Sequence, residues 1–385
     1  MKVAYFTHYS EMYGANQSLF SLVLQLRYKG IEPVVICPSQ GPLTDKLEET
    51  GINVLIIPFR PWASKNKSRF KKSVKRLYNQ NAARKITKVL RKLNIDLVHT
   101  NSSVISIGAM AAKLLKLPHV WHIREMLEED YNISFENGYS ESVRYINNSS
   151  SKVICISEAV FSKYKNDIDH DRITVIYNGI DENNIIYNDE NRPNVSENIN
   201  LLITGILVKE KGQAEAIRAL AVLNYTYNMN CRLNIVGDGP ELEFLKEIAL
   251  QLGVIDRVKF HGFITGSQMD EIRKESEVAL VCSHCEAFGR VTVEAMLAGI
   301  PVIGANTGGT VELIKDEVNG LLYNLGDPQH LALQVRKLVT NQELYASVKV
   351  NARTRSLKEF TAHRNSTQIM SVYKSIVQTN NSERS

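Results

Sequence analysis

The sequence predicts an α/β protein made of two doubly wound parallel sheets joined by a hinge. Three observations predict it. Short apolar runs of strand length alternate with amphipathic helical stretches along the chain. The alternation stops in a polar, asparagine-rich segment at 181–198, DENNIIYNDENRPNVSEN, and then restarts. A length of 385 residues gives room for two or three domains of about 150 residues each. Buried strands separated by helices imply parallel pairing through right-handed crossovers. Ligands of such sheets bind beyond the carboxyl ends of the strands, so the expected site is the cleft where two sheets face each other.

In the first half, strand-like runs fall at 3–8 (VAYFTH), 33–37 (PVVIC), 54–59 (VLIIPF), 96–100 (DLVHT), 119–123 (HVWHI), 153–157 (VICIS) and 173–177 (ITVIY). Helices are expected at 18–28, 42–50 and 105–116, with a further basic helix inside 60–92. After the polar segment the strands read 200–207, 233–239, 258–263, 278–283 and 301–305. Helices at about 212–223, 240–252, 291–298 and 310–317 complete that half. The tail from about 341 to 378 is helical and polar, long enough to fold back onto the first domain. The expected boundaries are a first domain at 1–182, a linker at 183–199, a second domain at 200–356, and a returning helix and tail at 357–385.

Composition excludes other classes. With 44% hydrophobic and 23% charged residues the chain is neither disordered nor fibrous. Five scattered cysteines (37, 155, 231, 282, 285) make no disulfide framework and fit a reducing compartment. The start, MKVAYFTHYS, has one lysine and a short apolar run broken by His8, so no signal peptide is expected. No apolar run approaches the roughly 18 residues of a membrane span. The expectation is a cytoplasmic protein that sits, at most, on a membrane surface.

The net charge of +5 is unevenly spread. Between Arg60 and Lys92 stand thirteen Lys or Arg (60, 65, 67, 69, 71, 72, 75, 76, 84, 85, 88, 91, 92) and no acid; without them 33 basic residues face 41 acidic ones, a net of −8. Phe70, Val74, Leu77 and Tyr78, then Ile86, Val89, Leu90 and Leu93, recur at helical spacing opposite a cationic face. Such a helix suits an anionic membrane leaflet, at about 1 kcal/mol per nearby basic residue. It also suits a phosphorylated ligand, or simply a solvated face. Nucleic acid is not expected, because no recognition module or aromatic-interleaved platform accompanies the patch.

The most informative stretch is EAFGRVTVE at 286–294, followed by AMLAGIPVIGANTGG. A strand ends near Ser283, and a loop with Gly289 leads into a helix near Val291. Amides at that helix start could receive a diphosphate, with Gly289 allowing close approach. Glu294 is expected in the first turns, where a carboxylate is favoured, and Glu286 on the loop could accept hydrogen bonds from hydroxyls. Taken singly, each is better read as an ordinary acid, at a helix start for Glu294 and on the surface for Glu286.

Together these residues resemble glycosyltransferase family 4, of the GT-B fold. The family carries two glutamates separated by seven residues (Glu286 and Glu294), then EAM-x-x-G-x-PV (294–302) and a paired glycine (Gly308, Gly309). N-G-I-D at 178–181, the KG pair Lys211-Gly212, VGDGP at 236–240, VKFHGF at 258–263 and the glycine loop at 13–16 match in the same order. The resemblance implies two Rossmann-like domains facing across a cleft, with the C-terminal helix returning to the N-terminal domain. It implies a nucleoside-diphosphate-sugar held by Glu286 (sugar hydroxyls), Glu294 (ribose), Lys211 (diphosphate), the backbone near Phe263 and Ile264 (base), and the 286–294 loop with Phe288, Gly289 and Arg290. Gly14 would approach the diphosphate from the first domain. His122 would stand near the reacting carbon and the acceptor; Arg124 and Glu125 either pair with each other or face the acceptor.

One departure is notable: where the family often has arginine after the strand glycine, Gly205 is followed by Ile206. Lys209 or Arg290 could then join Lys211 as phosphate donors. Cys282 and Cys285 form a CxxC without further ligands, and Asp167-Ile-Asp169 is a lone DxD; neither predicts a metal or redox centre. The implied activity needs no cofactor and no obligatory metal. It is retaining transfer of a sugar to a hydroxyl acceptor, expected to be a polyprenyl-diphosphate-linked saccharide of polysaccharide biosynthesis at the inner face of the plasma membrane. The alternatives are a GT-B sugar-nucleotide epimerase or hydrolase, and a non-catalytic binder of anionic membranes through 60–92.

Overall fold

A computed structural model describes residues 1–65, 69–187 and 198–382. The chain divides into two compact units: Met1–Gly179 with the terminal segment from Ala362, and Ile180–Thr361.

The first unit contains strands β1 (Lys2–Phe6), β2 (Glu32–Cys37), β3 (Asn53–Ile56), β4 (Ala63–Ser64), β5 (Leu97–Thr100), β6 (His119–Ile123), β7 (Ser134–Phe135), β8 (Lys152–Cys155) and β9 (Ile173–Val175). Seven form one sheet in the order β3-β2-β1-β5-β6-β8-β9, all pairs parallel. Side chains alternate across a strand, so β1 feeds both faces. Val3 and Tyr5 join one core with Leu19, Leu22 and Leu26 of the helix Gly14–Tyr28. Ala4 and Phe6 join the other, with Ile86 and Leu90 of the helix Arg69–Lys92 and Ile107 of the helix Ile107–Leu115. Helices on both faces explain why these strands read as continuous apolar runs.

The second unit holds β10 (Ile199–Thr204), β11 (Cys231–Val236), β12 (Val258–Phe260), β13 (Val278–Val281), β14 (Val302–Ala305) and β15 (Leu321–Tyr323). Their order is β12-β11-β10-β13-β14-β15, again parallel throughout. Leu201 and Ile203 enter one core and Leu202 the other.

The helical tail is two helices, not one. Gln342–Glu359 puts Tyr345 and Val348 into the core of the second unit. Ala362–Ser382 puts Ile369, Tyr373 and Ile376 into the core of the first. The division therefore falls at Thr361, later than the expected 356, and at Gly179 rather than 182. Both exits from the second unit are side by side, with Ile180 N donating to Phe360 O at 2.8 Å. Of the expected linker, residues 188–197 lie outside the described residues. Helices at Tyr139–Ser149, Glu158–Tyr164, Ser267–Glu275 and Pro328–Thr340, strand β15, and the antiparallel β4–β7 pair were not predicted.

Candidate active site

In the second sheet β10 and β13 are neighbours, yet the strands that follow them wind in opposite directions. That makes their carboxyl ends the switch point at which such sheets bind ligands. Three loops meet there. Gly212, at φ +68°, closes the turn Lys209–Lys211, and a Cβ on it would stand 2.1 Å from Cys282 O. His284 N donates to Glu210 O at 2.8 Å, tying that turn to the loop after β13. Gly309 N donates to Glu286 O at 2.7 Å, and a Cβ on Gly308 or Gly309 would stand 2.9 Å from Glu286 backbone atoms. The paired glycine thus lets one loop press against the backbone of the first glutamate.

This geometry brings Lys211 and Glu286 together. The Lys211 ammonium is 2.5 Å from Glu286 Oε1, which also accepts from Ser283 Oγ at 2.6 Å. A carboxylate offers about four acceptor positions, so Oε2 is left to receive hydroxyls.

Gly289, at φ +96°, caps the helix Arg290–Ala298. Glu294 is the fifth residue of this helix, within its opening turns as expected but past the first turn itself. Its Oε2 accepts from Arg273 Nη2 at 2.7 Å and its Oε1 from Arg290 Nη2 at 3.2 Å. Arg290 thus has one of its donors on Glu294. Arg273, on the helix Ser267–Glu275, escaped sequence reading; its only local signal is Asp270 one turn earlier, 3.6 Å away. Phe288 is buried edge-on against Phe360, a core contact and not a ligand wall. Past the edge strand β12, Phe263 is exposed while Ile264 packs against the core. Ile206 is exposed at the end of β10, and Lys209 is exposed on the neighbouring turn.

The first sheet has its own switch point between β1 and β5. Gly14 opens the helix that follows β1. The preceding loop is shaped by buried Asn16, whose Nδ2 donates to Tyr9 O and Glu11 O at 2.9 and 2.8 Å. His122, on β6, is fully buried with Nδ1 3.3 Å from both His99 Nε2 and Arg124 Nη2. Burial and the Arg124 charge hold its pKa well below the usual histidine value. Arg124 is also buried, donating to Asn101 Oδ1 at 2.6 Å and to Asn178. Glu125 Oε2 instead accepts from Ser103 N and Oγ at 3.0 and 2.9 Å. Arg124 and Glu125 thus neither pair through their side chains nor face outward as a free acceptor-binding couple. Asn101, His99 and Tyr373 are network members that the sequence did not single out, and Asn178 was picked out only as part of N-G-I-D.

The remaining features are accounted for locally. Burial pushes the Cys282 thiol up to about 12, which leaves it inert at neutral pH. Asp167 accepts from Tyr139 and Asp169 pairs with Arg172, so the DxD serves its own loop.

A cavity of about 450 Å³ lies in the first unit, between the helices Arg69–Lys92 and Tyr139–Ser149. Its wall includes Trp62 and Tyr145, edge to face at 5.4 Å, and its polar lining includes Lys75, Arg76, Glu136 and Arg144. On the basic helix, Ile86 and Leu90 are buried as the periodicity predicts. Val74, Leu77 and Tyr78 on the same helix are 58%, 62% and 41% exposed. Lys67 and the side chains of Arg69, Phe70, Lys71 and Lys72 lie outside the described residues. No helix among the described residues is long and apolar enough to cross a membrane.

Two parallel, doubly wound sheets, each with polar side chains gathered at its switch point, are the architecture of the GT-B fold. The family model for Glycosyltransferase Family 4 matches residues 12–184, and that for Glycosyl transferases group 1 matches 187–355. The chain belongs to these glycosyltransferases. It is 25% identical to N-acetyl-alpha-D-glucosaminyl L-malate synthase of Bacillus anthracis, over 77% of this chain and 79% of that one. It is 31% identical to an uncharacterized glycosyltransferase of Methanocaldococcus jannaschii over 53% of this chain, a match that spans about half (54%) of that relative's length. Anabaena HepE in complex with UDP superposes with a TM-score of 0.79 at 25% identity, covering 97% of this chain and 100% of that one.

Proposed function

We propose that this enzyme transfers a sugar, with retention, from a nucleoside-diphosphate-sugar to a hydroxyl of a polyprenyl-diphosphate-linked saccharide. The observation that carries the donor side is the Lys211–Glu286–Ser283 cluster at the carboxyl ends of β10 and β13. Breaking the C1–O bond leaves negative charge on the diphosphate, and Lys211 is the cation placed to meet it. Glu286 Oε2 receives hydroxyls of the sugar. Glu294, fixed by two arginines, retains acceptor capacity for the ribose hydroxyls. The UDP bound to HepE supports a nucleoside diphosphate as the donor's leaving group. The bond from the acceptor oxygen to C1 forms on the face the diphosphate leaves, and the acceptor proton passes to the departing phosphate oxygen. Positioning, rather than a carboxylate nucleophile, supplies the rate. No cofactor enters this scheme.

For the acceptor, the cavity beside Trp62 and Tyr145 offers an aromatic wall with planar polar groups and cations at its margin, which suits a saccharide linked to phosphate. The exposed apolar residues Val74, Leu77 and Tyr78, on a helix dense in Lys and Arg, support peripheral binding to the inner face of the plasma membrane.

Thermal shift against a panel of nucleoside diphosphates and their sugars tests the reading, starting with UDP. A ligand at 100 times its dissociation constant stabilises by about 2.7 kcal/mol. A shift that Glu294→Ala abolishes supports the donor site, and no shift across the panel sinks it. Turnover without any acceptor would favour an epimerase or hydrolase instead.

A further inference from the structure

β5 and β6 are adjacent, and His122 Nδ1 meets His99 Nε2 at 3.3 Å. The last helix supplies the next link: the Tyr373 hydroxyl is 2.6 Å from His99 Nδ1, with the Tyr5 hydroxyl 3.4 Å beyond. All four side chains are fully buried, so their neighbours and not water decide where the protons sit.

Arg124 sets the direction. Its Nη2 lies 3.3 Å from His122 Nδ1, and a guanidinium can only donate. His122 Nδ1 is therefore the acceptor, and a neutral ring then carries its proton on Nε2. A ring protonated on both nitrogens would set an N–H against the guanidinium, and burial beside that cation opposes the second charge. The constraint passes along the row. Facing an acceptor, His99 Nε2 must bear its hydrogen; His99 Nδ1 is then bare and accepts from the Tyr373 hydroxyl. One arrangement of protons satisfies the contacts from Arg124 to Tyr373, with the His122 Nδ1 lone pair shared by two donors at 3.3 Å. The Tyr373 hydroxyl spends its hydrogen on His99 at 2.6 Å and has none left for the longer contact to Tyr5.

We propose that His99 and Tyr373 are positioning residues that, with Arg124, hold His122 as its neutral Nε2–H tautomer, so that His122 offers its ligand a hydrogen-bond donor and not a base. The proposal rests on the reading of His122 as a site residue. His122 Nε2 is buried and has no hydrogen-bond partner among the described residues. A buried N–H of this kind is completed by an oxygen lone pair, such as a hydroxyl or phosphate oxygen of a nucleotide-sugar. The C-terminal helix thereby has a part in the site, since it brings Tyr373 to a strand 274 residues earlier in the chain.

The test is long-range ¹H–¹⁵N NMR of the full chain with ¹⁵N-labelled histidine and no ligand added, with signals assigned through His99→Gln and His122→Gln. Both rings are expected to have a protonated Nε2 and a bare Nδ1. Tyr373→Phe is expected to leave His99 as a mixture of tautomers and to shift the His122 signals. A His122 proton on Nδ1, protons on both nitrogens, or a Tyr373→Phe spectrum identical to wild type would overturn the proposal. The wild-type spectrum decides the tautomer even where a variant fails to fold. Because it is recorded without substrate, its outcome is separate from that of the functional reading: the expected tautomer in a chain that transfers no sugar would sink only the latter.

Discussion

The Lys211 ammonium and the Glu286 carboxylate are in contact at 2.5 Å, although 75 residues separate them in sequence. Neither is deeply buried, with 21% and 12% of the side chains exposed. Such a pair does little for stability compared with a site in which it is prepared for a charged ligand. The lysine holds the glutamate in one rotamer before the ligand arrives. On the proposed function, the same lysine is already in place when the diphosphate departs, and no reorganisation is needed.

Replacing Lys211 with alanine is therefore expected to lower kcat by about 10²–10³, the usual loss when one preorganised donor is removed from developing charge. Lys211→Arg should recover part of the rate, because the charge returns with a different shape. Steady-state rates of sugar transfer would settle it. Equal rates for wild type and Lys211→Ala would remove Lys211 from the reaction.

Glu294 provides a second prediction. Arg273→Ala would leave Glu294 with Arg290 alone, at 3.2 Å. Hydrogen bonds to charged groups contribute about 1.5–3 kcal/mol, discounted here because both partners keep some contact with water. Nucleoside diphosphate binding should weaken by roughly tenfold, with a modest fall in Tm. Titration calorimetry on Arg273→Ala would read both binding and heat. Unchanged affinity would mean that Glu294 needs no second arginine to hold its place.

The two cases mark what the sequence made legible. The Glu286 and Glu294 pair, the KG turn and the paired glycine are local patterns, and the backbone reasons for them are now visible at Cys282 O and the Glu286 amide. Parallel strand content was legible for the same reason: runs such as 33–37 and 278–283 are buried on both faces and read as uninterrupted apolar segments. Partners were not legible. Arg273 looks like any helix cation, and nothing near it in sequence points to Glu294. Phe288 looked like a ligand contact because of its place in the motif, whereas it packs on Phe360 from a distant helix end. The row from His99 to Tyr373 joins strand and terminal helix only through tertiary structure.

The buried histidines of the first unit predict a stability that falls in acid. Burial pushes His119 down to about 4, and it donates and accepts as a neutral ring between Ser149 O at 3.0 Å and Thr100 Oγ1 at 2.7 Å. His99 and His122 are lowered in the same direction by burial and by Arg124. Above pH 6.5 both folded and unfolded chains hold these rings neutral, so stability does not depend on them. Below it the unfolded chain binds protons that the native rings refuse until about pH 4 in the case of His119. Each ring then removes up to about 1.4 kcal/mol per pH unit. Denaturant midpoints for the first unit should drop between about pH 7 and pH 5, and less steeply in His119→Gln. A flat profile would contradict the burial of neutral histidines.

The helix Arg69–Lys92 makes the last prediction. Its carboxyl half is anchored in the core through Ala83, Ile86 and Leu90, while Val74, Leu77 and Tyr78 near its start are open to solvent. Apolar side chains at i, i+3 and i+4 beside Arg76 form the surface of an interfacial helix. Leu77→Ser removes apolar area worth about 1–2 kcal/mol if it enters the acyl boundary. Arg76→Glu replaces an attraction of about 1 kcal/mol with a repulsion of similar size. Both should weaken sedimentation with anionic vesicles by about tenfold, the second more strongly at low salt than at high. Both residues belong to the first unit and the Lys211–Glu286 cluster to the second, so nucleoside diphosphate binding should persist in both variants. If wild type sediments with anionic vesicles no better than with neutral ones at about 0.15 M salt, the membrane reading fails. The exposed stripe would then have to be covered by something other than lipid.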